Sequence, residues 1–144
     1  MTFDTCKRGL DILGKFDCVV GALELIAGLI ALAAGIFLAV TGSTAAIIGG
    51  VSAFLIGVLF LFQGAITFAE GYFSLRAVKD LTKIMPAYIF SIVAFVGSCL
   101  SMISCIVTNQ GGFAVAGALF TCAVNAAFLY FTSTLKKEKE LIKA

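Results

Sequence analysis

Four carboxyl or amide side chains stand inside otherwise apolar stretches of this chain, and any chemistry would begin with them: Glu24, Gln63, Glu70 and Asn125. An ionisable group within an apolar run of membrane-spanning length marks a functional candidate, because burying it costs free energy that an apolar residue would not. Glu24 is the strongest of the four. It lies six residues into an apolar run, about 9 Å from its start at helical rise. Placing it there costs about 2–3 kcal/mol, which the twelve Leu, Ile, Val and Phe of that run offset at roughly 0.3–0.6 kcal/mol each. A carboxyl so placed is expected to hold its proton, as a proton or cation site requires. The alternative is a structural carboxyl that snorkels to the interface or hydrogen-bonds a neighbour. Gln63 is expected at nearly the same depth on the next, antiparallel helix, as the partner of Glu24. Glu70 reads as interfacial. Asn125 is expected to bond Ser91 or Ser98 on the preceding helix, or a second subunit, since such amides more often fasten helices than bind ligands.

Other reactive groups are scarce. The chain has no His, so the commonest metal ligand and general base is missing. Its five cysteines, Cys6, Cys18, Cys99, Cys105 and Cys122, form no C-x-x-C pair and read mainly as small hydrophobes, with redox or lipidation roles as the alternative. No nucleophile stands with a base and no metal set is visible, so neither an enzyme nor a cofactor or metal is expected.

The elements that position these residues follow from composition. Of 144 residues, 61% are apolar and 12% charged, against roughly 25% charged in an average soluble domain. Such a chain cannot cover itself with polar side chains in water. A span needs about 20 mainly apolar residues, and four runs qualify: 18–40, 45–73, 87–107 and 113–131. Thr41–Thr44 and the sequence Thr108-Asn109-Gln110-Gly111-Gly112 read as short turns. Pro86 suits the first turn of the third helix, where its missing N–H costs nothing. The fold expected is all-α: one membrane domain over residues 1–144, a four-helix transmembrane bundle of two antiparallel hairpins, with a charged tail at 132–144.

All ten Lys and Arg lie in the N-terminal segment, the middle loop or the tail, and the two short turns carry no charge. The positive-inside rule places the three basic segments, and with them both termini, in the cytoplasm. The basic loops are explained by topology, so no nucleic-acid partner is expected. Residues 3–16 form an amphipathic stretch. Phe3, Cys6, Leu10, Ile12, Leu13 and Phe16 fill one side, and Asp4, Lys7, Arg8, Asp11 and Lys15 the other. It is expected to lie on the membrane as a separate interfacial helix; packing on the protein's own cytoplasmic loop is the alternative. The first apolar run is too long for a cleaved signal and reads as a retained anchor.

Small residues mark the packing seams. Gly14, Gly21, Gly28, Gly35 and Gly42 recur every seven residues, as do Gly50, Gly57, Gly64 and Gly71. Each series lines one helix face and lets backbones approach, in a left-handed crossing. The stretch 21–37 also matches 57–73 at eight of seventeen positions. The third span offers Ala87, Ser91, Ala94, Ser98, Ser101, Cys105 and Thr108 at alternating steps of four and three. The fourth offers Ala114, Ala118, Thr121, Asn125 and Phe128.

The motif Gly57-x-Leu59, Gly64, Gly71-Tyr72-Phe73-Ser74-Leu75-Arg76, with its counterpart from Gly14 onward, resembles the repeat unit of HdeD-like bacterial inner-membrane proteins. The resemblance covers residues 14–76. It implies hairpins of apolar helices, the bacterial inner membrane, a link to acid-stress resistance, and no catalytic residues to carry over.

The function expected is that of a small non-enzymatic membrane protein. Its partners are the lipid bilayer and either a second copy or another membrane protein, met through the glycine seams and Ser98. The alternative is a small dimeric proton- or cation-coupled transporter or channel using Glu24, similar in that residue to small multidrug-resistance transporters.

Overall fold

The computed structural model describes residues 3–41, 43–107 and 111–143. These residues are all-α: α1 runs Phe3–Val40, α2 Thr44–Lys79, α3 Ile84–Val107 and α4 Gly112–Lys143, with a 3-10 turn at Leu81–Lys83. Each of the four helices is long and apolar enough to cross a membrane. Helix ends at Val40 and Val107 fall where the sequence puts them. The other ends run further. α2 continues through the expected loop to Lys79, and α4 absorbs the expected tail as far as Lys143. Gly42, Thr108, Asn109 and Gln110 lie outside the described residues.

Residues 3–16 do not form a helix of their own. They are the first turns of α1, which continues without a break to Val40. The junction Phe16-Asp17-Cys18 contains no Pro or Gly, so nothing interrupts the hydrogen-bond ladder there.

Local chemistry sets the turns. Ser43 caps α2, its Oγ accepting a bond from the Ala46 amide at 3.2 Å. Arg76 and Lys79 in the last turn of α2 complement the helix dipole. Asp80 then leaves helical geometry and caps the 3-10 turn. Its carboxylate accepts the Thr82 hydroxyl at 2.6 Å and the Thr82 amide at 3.0 Å. These bonds, with Lys83 beside it, hold the Asp80 carboxyl down at about 2, below the ordinary range.

The chain divides into two compact units. In Asp17–Ala69, burial is confined to a narrow stripe: Asp17, Gly21, Gly28 and Gly35 on α1, and Gly50, Gly57 and Gly64 on α2. A Cβ built on Gly28 would lie 3.0 Å from the Gly57 carbonyl oxygen, and one on Gly57 2.9 Å from that of Gly28. Gly35 and Gly50 meet at 2.8 and 2.7 Å in the same way, and Gly21 would strike the backbone of Phe68 beside Gly64. The residue numbers in each pair add to 85, so α1 and α2 run antiparallel here and each of these glycines faces one on the other helix. The large side chains between them, such as Leu29, Ile30, Leu55 and Leu59, point outward and are exposed.

The other unit comprises the segment up to Phe16 and the chain from Glu70 on. Its core is Cys6, Leu10, Ala77, Ile84, Ala87, Phe128 and Leu135, drawn from all four helices and fully buried. The apolar side of the first turns therefore packs chiefly on the protein itself, though Ile12 and Phe16 stay exposed. Gly14 faces Gly71 here, its Cβ position 3.2 Å from the Gly71 carbonyl oxygen. Phe73 stacks on Phe90 at 5.3 Å between ring centres. The end of α4 is tied to the 3-10 turn by Lys139, whose Nζ donates to the Thr82 carbonyl at 2.8 Å. Lys136 lies over the Tyr88 ring. α3 and α4 pack against each other.

Candidate functional site

The polar candidates fall in two places. The first is in Asp17–Ala69, beside the glycine seam. Glu24 follows Gly21 by three residues, and its Cβ is 3.0 Å from the Cβ position of Gly64. The side chain thus faces α2, as expected. The Thr67 hydroxyl of α2 lies near this carboxyl. Gln63 is not the partner. It immediately precedes Gly64, about 100° round the helix from the seam at 3.6 residues per turn, and its side chain is exposed. The side of the helix was misjudged. The Thr67 hydroxyl donates to the Gln63 carbonyl at 3.1 Å, so it is anchored to its own helix.

A second carboxyl joins Glu24. Asp17 lies seven residues earlier on α1, two helical turns away on the same face, and is 4% exposed. Asp17 Oδ2 and Glu24 Oε2 are both buried without a hydrogen-bond partner. Asp17 stood just outside the apolar run and was not singled out. A signal existed: Gly14-x-x-Asp17 and Gly21-x-x-Glu24 repeat the same spacing. With a buried, unbonded oxygen on each, these carboxyls can hold a proton or meet a small cation.

The second place is the other unit. Glu70 is 1% exposed. Ser74, one helical turn on, is fully buried with its hydroxyl unbonded. Asn125 is buried against α3, and its Nδ2 donates to the Ala94 carbonyl at 3.2 Å. The partner is a backbone oxygen, not Ser91 or Ser98. Those hydroxyls are already used within α3: Ser91 donates to the Ala87 carbonyl at 2.9 Å and Ser98 to that of Phe95 at 2.9 Å. Ser98 lies on the buried stripe with Ala87 and Ser91, whereas Ser101 and Thr121 of the expected seams are exposed.

The glycines Gly21, Gly28, Gly35, Gly57, Gly64 and Gly71 are all buried. None of the five cysteines is in a disulfide. Among the described residues, no group of three or more His, Cys, Asp or Glu converges to hold a metal ion. An apolar cleft of about 260 Å³ lies between the ends of α1 and α2, lined by Gly35, Ile36, Ala39, Gly50 and Phe54 among others.

Compared with known proteins, the chain matches no protein-family model, no curated protein and no solved structure.

Proposed function

We propose that this chain is a small non-enzymatic protein of the bacterial inner membrane that acts by packing its helices against a second copy of itself or another membrane protein. In this reading it crosses the bilayer four times as two antiparallel hairpins, with both termini in the cytoplasm. The basic residues at the ends of the helices support that orientation. The observation that carries the reading is the glycine register, in which two helix backbones meet at every seventh residue and the large apolar side chains are left facing outward. Exposed Gln63 adds to it, because an amide on a span favours a hydrogen-bonding partner on another helix. A role in acid-stress resistance comes with the HdeD-like resemblance alone.

The test is self-association in a bilayer, measured by energy transfer between labelled copies as lipid is added. Association that weakens with Gln63→Leu, at unchanged helicity, is the expected result. A chain that stays monomeric at every dilution and recovers no membrane partner on cross-linking would remove the proposal.

A second reading, a dimeric proton- or cation-coupled transporter, is favoured by the unbonded buried oxygens of Asp17 and Glu24. Proton-driven uptake in liposomes that disappears with Glu24→Gln would support it.

A further inference from the structure

Cys99 on α3 and Cys122 on α4 face each other, their Sγ atoms 3.7 Å apart. That is van der Waals contact between two thiols on different helices. A disulfide needs the sulfurs at about 2.05 Å, so closure asks for an approach of about 1.7 Å. Both side chains are only partly buried, which leaves one flank open to the surroundings. One turn further along α4, the bond from Asn125 to the Ala94 carbonyl holds the two helices in this register.

The pair's depth limits its chemistry. Cys99 stands eight residues before the end of α3 at Val107, and Cys122 ten residues after the start of α4 at Gly112. At helical rise both lie about 12–15 Å from those ends, near the middle of a hydrocarbon core of about 30 Å. Charged thiol reagents such as glutathione do not enter that layer.

We infer that Cys99 and Cys122 form a redox-active dithiol within the membrane, oxidised to an intramolecular disulfide by a lipid-soluble quinone. The two S–H bonds break and one S–S bond forms. Two electrons and two protons pass to the quinone, which leaves as the hydroquinone. The product staples α3 to α4 beside Asn125. This inference rests on α3 and α4 crossing the bilayer and is independent of what the protein packs against.

The experiment uses the full chain in liposomes, with a short-tailed, fully ring-substituted benzoquinone, which cannot add a thiol, dissolved in the bilayer. Non-reducing peptide mapping reads the link, and absorbance reads hydroquinone. The expected result is a Cys99–Cys122 link within one chain and one hydroquinone per link. Cys99→Ser, Cys99→Ala and Cys122→Ser should each abolish both signals, and Cys105→Ser should leave both unchanged; helicity is followed throughout. Absence of the link under quinone in the wild-type chain overturns the proposal, as does a link only between separate chains. Closure by oxidised glutathione as fast as by quinone overturns the intramembrane site, whatever the self-association measurement shows.

Discussion

Gly28 and Gly57 lie back to back, each placed so that a methyl group would come within about 3 Å of the other's carbonyl oxygen. The obstacle on either side is backbone, which cannot rotate away as a side chain can. Gly28→Leu or Gly64→Leu should therefore force α1 and α2 apart and lower stability by about 2–3 kcal/mol, the upper part of the usual range for overpacking. Gly49 is the matched control. It neighbours Gly50, yet a Cβ there meets nothing within 4 Å, so Gly49→Ala should be neutral or slightly stabilising through helix propensity. Ala46→Leu near the turn should also be mild. Unfolding in mixed micelles ranks the four variants, and equal tolerance would reduce the glycine register to coincidence.

Topology has its own test. On a cysteine-free background, single cysteines at Ser43 and Gln110 should react with an impermeant reagent added outside intact cells, and one at Lys79 should not. Reaction at Lys79 from outside would reverse the orientation drawn from the basic residues.

Glu24→Gln should fold normally, because glutamine keeps a donor and an acceptor in a similar shape. Thr67→Val removes the hydroxyl facing that carboxyl and should destabilise the wild-type chain more than the Glu24→Gln chain. Equal costs in the two backgrounds, measured as a double-mutant cycle, would mean that the two side chains do not interact.

Asn125→Ala should cost about 0.6–1.7 kcal/mol, the range for hydrogen bonds between spans. Ser91→Ala should be nearly silent, since the Ser91 hydroxyl serves only its own helix. If Ser91→Ala proves the costlier change, the Ala94 carbonyl is not what fastens Asn125.

The Asp80 cap gives a pH dependence. Its carboxyl is held at about 2 when folded, below the ordinary value of about 3.9. A depressed carboxylate adds stability in full above the ordinary value and loses it as pH falls toward the folded one. The local unfolding midpoint should be flat from neutrality down to about pH 4 and should fall between about pH 4 and 2. Asp80→Asn should remove that slope.

Much of this was legible in the sequence, and the parts that were not have physical reasons. The seven-residue glycine series identified the buried faces of α1 and α2. Read as a translation of 36 residues, it concealed the pairing. Read as a reflection, in which paired residue numbers add to 85, it gives each contact directly. Gln63 was misplaced because equal depth does not mean equal side. Asn125 found the expected helix but a backbone partner, because serine hydroxyls in a helix bond their own carbonyls first. The continuity of α1 was missed because a change from amphipathic to uniformly apolar sequence looks like a boundary, although no residue there breaks a helix.

Leu10 and Gly28 stand on the same helix, α1, but in different compact units of the chain. With the proposed topology, the two units answer to different solvents. The cluster around Leu10 and Leu135 exposes apolar surface to water when it opens, and should carry a heat-capacity increment and a response to urea. The seam at Gly28 exposes its surface to lipid tails and should carry neither. Calorimetry on one chain would then record two meltings, of which only one bends with temperature.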